Sequence, residues 1–287
     1  MSTVKSIAVI GAGTMGSGIS LTAATSGISA FQIDVSQAQL DKAKAYHAKT
    51  LGRSVEKQKM TQVDADAALA RITYLTDMAG AKAADWAVEA ATENIELKKK
   101  IFQAMNATFG PNAVLATNTS SISITDIATA VGASASRVIG MHFFNPVPIM
   151  KLVEVIKGLA TSEETTQRTI DLAKAMGKTP VPANDRAGFV SNRVLMPLIN
   201  EAFHAWMEGV AKPEDIDQIM LLGCNFPMGP LRLADFIGLD VCHDIMMVLY
   251  RELGNPKFFP CPLLRQLVQA GRLGDKSGRG VFDYGKK

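Results

Sequence analysis

Cysteine is scarce in this sequence: Cys224, Cys242 and Cys261 stand 18 and 19 residues apart. An odd count without C-x-x-C spacing argues against a disulfide framework and against a zinc site, and it fits a reducing, cytoplasmic compartment. Long apolar runs are lacking as well; none approaches the ~18 residues that span a bilayer, so no membrane partner is expected. The segment from Met1 to Gly11 has no basic flank, long apolar core or cleavage site, and no Arg-rich amphipathic start, so neither a signal nor a transit peptide is expected. Charge of one sign is not in excess: the net charge is +3, too small to argue for nucleic acid. Repeats and low-complexity tracts are missing. What is present is a chain of 287 residues, 47% hydrophobic and 20% charged. That composition belongs to folded proteins and supplies material for about two domains of ~150 residues, which excludes disorder and a stapled mini-fold.

The charge is uneven. From Arg251 to Lys287 there are eight Lys/Arg and three Asp/Glu, a local +5 that leaves −2 for the rest. A solvated face and an anionic ligand both account for such a basic end.

Up to residue 186 the chain alternates β-like and helical patterns. Ser6 to Ile10 reads as a strand ending at glycine, and Ile28 to Ile33 as a second. Trp86 to Ala90, Val114 to Thr117, Val138 to Phe144 and Lys151 to Ile156 follow. Strands separated by helices predict βαβ units and a largely parallel sheet. Between Ser36 and Arg71 this rhythm stops, and two helical segments form an insertion whose Lys42, Lys44, Lys49, Arg53, Lys57 and Lys59 make it basic. Beyond Arg186 the β pattern disappears. Gly188 to Glu208 has Val194, Leu195, Leu198, Ile199 and Phe203 at helical spacing, with Pro197 expected to bend the helix. Further helices are predicted from Pro213 to Gly223, Pro230 to Ile237 and Asp240 to Leu253. The expected organisation is an α/β domain over residues 1–186 and an all-helical domain over 187–287.

Four groups of residues carry chemistry. Gly11-Ala12-Gly13-Thr14-Met15-Gly16 follows a strand and opens a helix, the context that turns a weak G-x-G-x-x-G into a dinucleotide fingerprint. Gly11 permits the tight turn, Gly13 lets a pyrophosphate approach the backbone, and Gly16 allows close helix–strand packing. Asp34 ends the second strand 18 residues after Gly16, where a carboxylate binds the ribose hydroxyls and repels a 2′-phosphate, favouring NAD over NADP. Second, His142 and Glu154 bracket Asn145-Pro146-Val147-Pro148. An antiparallel fold-back about position 148 sets residues whose numbers sum to about 296 opposite each other, which brings this pair to ~5 Å. A carboxylate beside an imidazole fixes its tautomer and favours the imidazolium. Such a histidine can take a proton from an alcohol while hydride leaves; a purely structural His–Glu bridge fits the spacing equally well.

Third, Thr117-Asn118-Thr119-Ser120-Ser121 follows a strand end, where open α/β sheets bind ligands, although Ser120 or Ser121 also suits a helix cap. Fourth, Asn192 shares an apolar helix stripe with Leu195, Met196 and Ile199 and needs either an internal partner or a ligand. His47, His204 and His243 lack a second ligand at metal spacing, so no metal is expected.

These segments together resemble the short-chain L-3-hydroxyacyl-CoA dehydrogenases. The resemblance is carried by VIGAGTMGSGI (9–19), EAATENIELKKKIF (89–102), ATNTSSISIT (116–125), IGMHFFNPVPIMKLVEVI (139–156), GFVSNRVLMPLINEAF (188–203), GCNFPMGPLRLADFIGLD (223–240) and DKSGRGVFDY (275–284), nearly end to end. It implies a Rossmann-like, mostly parallel sheet with an antiparallel edge and a helical-hairpin insertion, followed by an all-helical C-terminal domain that makes a homodimer. It implies NAD-dependent oxidation of an L-3-hydroxyacyl-CoA to the 3-ketoacyl-CoA. By motif, His142 is the general base and Glu154 its orienting partner, while Ser120 and Asn192 contact the substrate oxygen. The dinucleotide contacts Gly11 to Gly16, Asp34, Glu93, Lys98, Asn118, Ser120, Asn145 and Lys276, and coenzyme A lies along Thr50 and Lys57. Two departures stand at the domain junction. Ala187 replaces the Pro that the family commonly has before Gly188, and Ser191 replaces an apolar residue before Asn192. A sugar-acid dehydrogenase of the L-gulonate type and a non-catalytic NAD-binding protein are the competing readings.

Overall fold

The computed structural model describes residues 4–285, and its contacts separate into two units, one ending at Asp185 and the other beginning at Arg186. Residues 1–3 of the expected leaderless start, and Lys286 and Lys287 of the basic end, lie outside the described residues.

The first unit is built on eight strands: β1 (Ser6–Ile10), β2 (Ser29–Ile33), β3 (Ile72–Leu75), β4 (Trp86–Glu89), β5 (Val114–Thr117), β6 (Val138–Phe143), β7 (Leu152–Lys157) and β8 (Thr179–Asn184). They lie in the order β3-β2-β1-β4-β5-β6-β7-β8. Every neighbouring pair is parallel except β6 and β7. The reversal of strand order about β1 creates the switch point at which open sheets bind ligands. The central strands read as buried runs because helices cover both faces: all residues of β4, β5 and β6 are buried.

Two strands differ from the sequence expectation. β3, with the sequence ITYL, is short and half-exposed and follows α3 (Gln62–Ala70) almost without a loop. The antiparallel edge is two strands wide, because β8 runs parallel to β7. Its sequence TPVPAN hides it, since prolines argue against a central strand. Here they sit on an outer edge. The amides of Thr179 and Asp185 donate inward to β7-side carbonyls, at 2.8 and 3.0 Å, so the alternate positions Pro180 and Pro182 face away. An edge without N–H donors at those positions cannot template another strand.

Helix α1 (Thr14–Thr25) follows β1, and α2 (Gln37–Glu56) with α3 forms the inserted hairpin. Thr61 caps α3 by accepting from the amide of Asp64. After β4 comes α4 (Ile95–Thr108), capped by Asn94; after β5 comes α5 (Ile124–Ala128); and α6 (Glu163–Ala175) links β7 to β8. Ile7, Val9, Ile19, Leu21, Trp86, Val88, Val114 and Met141 are among the residues of one continuous core.

The second unit is helical: α7 (Ser191–Met207), α8 (Pro213–Gly223), α9 (Pro230–Ile237), α10 (Leu239–Leu253) and α11 (Pro262–Gln269). Pro197 falls inside α7. Met196, Ile199, Phe203, Leu231, Leu249, Phe258 and Leu264 form its core. The C-terminal segment is tied down by Asp235, whose carboxylate accepts from the amides of Val281 and Phe282 and from the Tyr284 hydroxyl at 2.7 to 3.0 Å. Among the described residues no helix is long and apolar enough to cross a membrane.

Candidate active site

The loop Gly11–Gly16 passes from β1 into α1 at the switch point. Gly11 has φ +104°, and a β-carbon there would lie 2.6 Å from the Ala90 carbonyl oxygen. A β-carbon on Gly16 would lie 1.8 Å from the Gly11 oxygen, so this glycine sets how closely helix and strand pack. Gly13 is different: a β-carbon there meets nothing within 4 Å, and the space in front of it is open. Gly13 is also the N-cap of α1, with no side-chain cap and no acidic residue in the first turn. A helix end with uncapped N–H groups facing open space fits a pyrophosphate. The Asp34 carboxylate accepts from the amides of Ala12 and Ser36 at 2.8 and 2.9 Å, which fixes it beside the loop at the end of β2. The residues present therefore fit NAD.

The β6–β7 register pairs Gly140 with Ile156, Met141 with Val155, His142 with Glu154 and Phe143 with Val153. His142 Nδ1 lies 2.7 Å from Glu154 Oε2, and the two residues are only 7% and 3% exposed. A carboxylate accepts, so Nδ1 carries the hydrogen in this pair, which leaves Nε2 to be the basic nitrogen of a neutral ring. Phe144 packs at 4.6 Å between ring centroids from His142. The turn that follows, with Asn145 exposed, is held from below by Lys178. The Lys178 ammonium donates to the carbonyls of Val147 and Met150. Burial pushes the pKa of this lysine down. On its other side the turn leans on α1: a β-carbon on Gly18 would lie 2.8 Å from Val147.

The ends of β4, β5 and β6 are stitched together by polar side chains. Asn118 Oδ1 accepts from the amide of Phe143 at 2.9 Å, next to His142. Ser120 donates to Glu93 Oε1 through its amide at 2.9 Å and its hydroxyl at 3.2 Å. Neither Ser120 nor Ser121 caps the following helix. Ser123 caps α5 by accepting from the amide of Asp126, because the first helical turn begins at Ile124 and not at Ile122. Lys98 is 1% exposed, with its ammonium 2.5 Å from Glu89 and 3.7 Å from Glu93. Thr117, already read with the strand-end group, donates to Glu89 at 2.8 Å, and Glu89 thereby joins the group although the sequence alone did not single it out.

In the inserted hairpin Thr50 is half-buried and Lys57 is exposed at the end of α2, as are Lys42, Lys44, Lys49, Arg53 and Lys59. His47 is fully buried in the same helix. Its Nε2 donates to the Ser17 carbonyl of α1 and its Nδ1 accepts from the Tyr74 hydroxyl of β3, both at 2.8 Å. Burial holds its pKa below the ordinary value, so the ring is kept neutral.

In the helical unit, Asn192 is 8% exposed in the first turn of α7. Gly188, with φ +74°, and Phe189, with φ +50°, precede that helix. Lys276 pairs with Asp240 at 2.6 Å. Among the described residues no cluster of His, Cys, Asp or Glu has the makings of a metal site.

A glycine-loop sheet that binds NAD, joined to a helical unit and carrying a buried imidazole–carboxylate pair, defines an NAD-dependent oxidoreductase. Residues 6–186 match the NAD binding domain of 3-hydroxyacyl-CoA dehydrogenase, and residues 188–284 match the C-terminal domain of the same enzymes. The chain belongs to the 3-hydroxyacyl-CoA dehydrogenase family. It is 52% identical to a probable 3-hydroxybutyryl-CoA dehydrogenase of Bacillus subtilis, with 99% of each chain covered. It is 45% identical to a 3-hydroxybutyryl-CoA dehydrogenase of Clostridioides difficile, covering 98% of this chain and 99% of that one. The crystal structure of the (S)-3-hydroxybutyryl-CoA dehydrogenase from Ralstonia eutropha superposes with a TM-score of 0.96 at 48% identity, over 99% of this chain and 100% of that one.

Proposed function

We propose that the chain interconverts an L-3-hydroxyacyl-CoA, 3-hydroxybutyryl-CoA first among them, and the corresponding 3-ketoacyl-CoA. The observation that carries this reading is the buried His142–Glu154 pair, 2.7 Å apart, at the sheet end that also bears the glycine loop. NAD, when bound, would supply the acceptor for the hydride that leaves C3 of the substrate. The chain supplies the rest. The loop Gly11–Gly16 (Ala12, Thr14 and Met15 included) and the N-terminus of α1 hold the pyrophosphate. Asp34 takes the ribose hydroxyls, and Glu93, Asn118, Ser120, Asn145 and Lys276 complete the surroundings of the dinucleotide; Lys98, expected among these contacts, is buried against Glu89 and serves them through Glu93 instead.

His142 Nε2 takes the hydroxyl proton of the substrate, and Glu154 stabilises the imidazolium that results. Ser120 and Asn192 fix the substrate oxygen, so the hydroxyl is oriented before the proton moves. Thr50, Lys57 and the other exposed lysines of the hairpin face the phosphates of coenzyme A. Residues 1–186 thereby form the NAD-binding domain and residues 187–287 the substrate and dimerisation domain.

A homodimer and a cytoplasmic setting complete the reading. The helical unit leaves Val194, Val210, Ile219, Leu222 and Phe236 exposed, apolar side chains that a second copy of the chain would cover.

The test is oxidation of NADH followed at 340 nm with acetoacetyl-CoA, beside free acetoacetate and 3-dehydrogulonate. Turnover on the thioester alone is expected. Turnover only on a free acid would move the substrate to the sugar-acid class, and NADH binding without any turnover would leave a non-catalytic protein.

A further inference from the structure

We propose that Glu89 is a positioning residue for the reaction, acting on Ser120 through Lys98 and Glu93. The proposal rests on the reading of Ser120 as a contact of the substrate oxygen.

Glu89 ends β4 and is fully buried, with no exposed surface. Its Oε2 accepts from the Lys98 ammonium at 2.5 Å and from the Thr117 hydroxyl at 2.8 Å. Its Oε1 accepts from the amides of Ala91 and Thr92 at 2.8 and 3.3 Å. All of its acceptor capacity is therefore spent inside the protein, and the carboxylate cannot reach a ligand. Lys98, the cation it holds, is equally shut off from solvent at 1% exposure. This ammonium is no surface charge waiting for a phosphate. It stands 3.7 Å from Glu93 Oε2.

Glu93 in turn has a side chain that is 49% exposed, and it lies in the loop between β4 and α4. What it does with its two oxygens is specific. Oε2 accepts from the Thr119 hydroxyl at 2.7 Å, and Oε1 accepts from both the amide and the hydroxyl of Ser120. A half-exposed glutamate held only by two hydroxyls and one amide would sample several rotamers. The buried cation beside it selects one. The order of command thus runs from Glu89, which has a single possible position in its strand, to Lys98, to Glu93, to the backbone and hydroxyl of Ser120. Thr117 closes the frame, since its hydroxyl donates to Glu89 and accepts from the amide of Thr119 at 3.2 Å.

The pairing has a charge logic as well. Lys98 without Glu89 would be a buried cation with only a half-exposed partner, and it would draw Glu93 inward to replace the lost anion. Glu93 would then leave Ser120. The amide substitution Glu89→Gln keeps the shape and the backbone contacts while removing the charge, so it should move Ser120 without unfolding β4.

The experiment is a double-mutant cycle with Glu89→Gln and Ser120→Ala, read as kcat with acetoacetyl-CoA and NADH, accompanied by amide hydrogen exchange of the ligand-free proteins. The expected result is a fall in kcat of roughly tenfold for Glu89→Gln, and a double variant no slower than Ser120→Ala alone, since the two changes act through one group. Hydrogen exchange should rise at residues 118–121 in Glu89→Gln while β4 keeps its protection. A double variant slower by the product of both effects, or unchanged exchange at 118–121, overturns the proposal and leaves the reading of Ser120 intact. An unchanged kcat in Ser120→Ala overturns the reading of Ser120 and the proposal with it. Should Glu89→Gln fail to fold, Glu89→Gln combined with Lys98→Met removes both buried charges, and the same cycle is run against Glu93→Gln, where the same non-additivity is expected and simple additivity refutes the relay.

Discussion

Glu154→Gln isolates what the buried carboxylate contributes. Gln keeps the length of the side chain and an amide oxygen that still accepts from His142 Nδ1, so the ring stays in place and only the charge is lost. The contact is 2.7 Å; because both charges are delocalised, an effective separation of about 4 Å enters the Coulomb term. At an effective dielectric constant of about 20 this separation gives about 4 kcal/mol of attraction between imidazolium and carboxylate. The retained hydrogen bond returns about 1 kcal/mol, leaving about 3 kcal/mol to be lost at the step in which His142 becomes charged. Each 1.36 kcal/mol is tenfold in rate, so kcat should fall by roughly a hundredfold, with a ceiling near a thousandfold. The assay is NAD reduction followed at 340 nm with 3-hydroxybutyryl-CoA at saturating substrate, the direction in which His142 becomes charged, alongside a fluorescence titration of NADH with the same preparation. NADH affinity should stay within about twofold, because the contact is between two side chains of the β6–β7 pair. A kcat within a few-fold of wild type would show that no imidazolium forms at a rate-determining point, and the pair would then be a structural bridge.

The two glycines of the loop should fail in different ways. Gly16→Ala forces a β-carbon to within 1.8 Å of the Gly11 oxygen, so urea unfolding should show a loss of about 3 kcal/mol or more. Gly13→Ala meets nothing within 4 Å, so the urea midpoint should hold while NADH affinity drops; loss of stability instead would mean that the loop does not face open space. Asp34→Ala removes the acceptor of the Ala12 amide and should weaken NADH while narrowing its advantage over NADPH, measured as the ratio of kcat/KM values. His47 gives a pH dependence whose sign follows from its lowered pKa: the unfolded chain takes up the proton first, so stability is full above about pH 6.5 and is lost as the pH falls below it. One such group accounts for up to about 1.4 kcal/mol per pH unit, and the thermal midpoint of wild type should drop by roughly 3 °C more than that of His47→Gln between pH 6.5 and 5.5. Equal drops would remove His47 from the acid response.

Much of this was legible because the signals are local. Gly11, Gly13 and Gly16 sit between a buried run and a helix, and no distant residue is needed to read them. The His142–Glu154 register was legible because one proline-bearing turn joins the two strands, and a turn of known centre fixes every cross-strand pair. The strands β3 and β8 were not legible. ITYL is too short to show alternation, and TPVPAN carries prolines that a reader counts against a strand without knowing that the edge faces outward. The capping serine was misplaced for a related reason: five hydroxyl-bearing residues between Thr117 and Ser123 all suit a helix start, and the choice of Ser123 is made by where β5 ends and Glu93 takes hold of Ser120.

The three consecutive lysines of α4 show how such a miss can be avoided. Lys98, Lys99 and Lys100 are consecutive, yet Lys98 is buried, Lys99 pairs with Asp126 at 2.7 Å, and Lys100 is exposed. The helical period separates them: Lys98, Phe102 and Met105 are the buried residues of this helix, at i, i+4 and i+7. A cation on that stripe cannot stay unpaired, so an anion must stand on the strand that the stripe covers. Glu89, at the end of the preceding strand, is the acidic residue whose side chain meets that stripe. The Lys98–Glu89 pair is thus implied by two rules of charge and period that the sequence already contains, applied to a strand end whose position only the fold supplies.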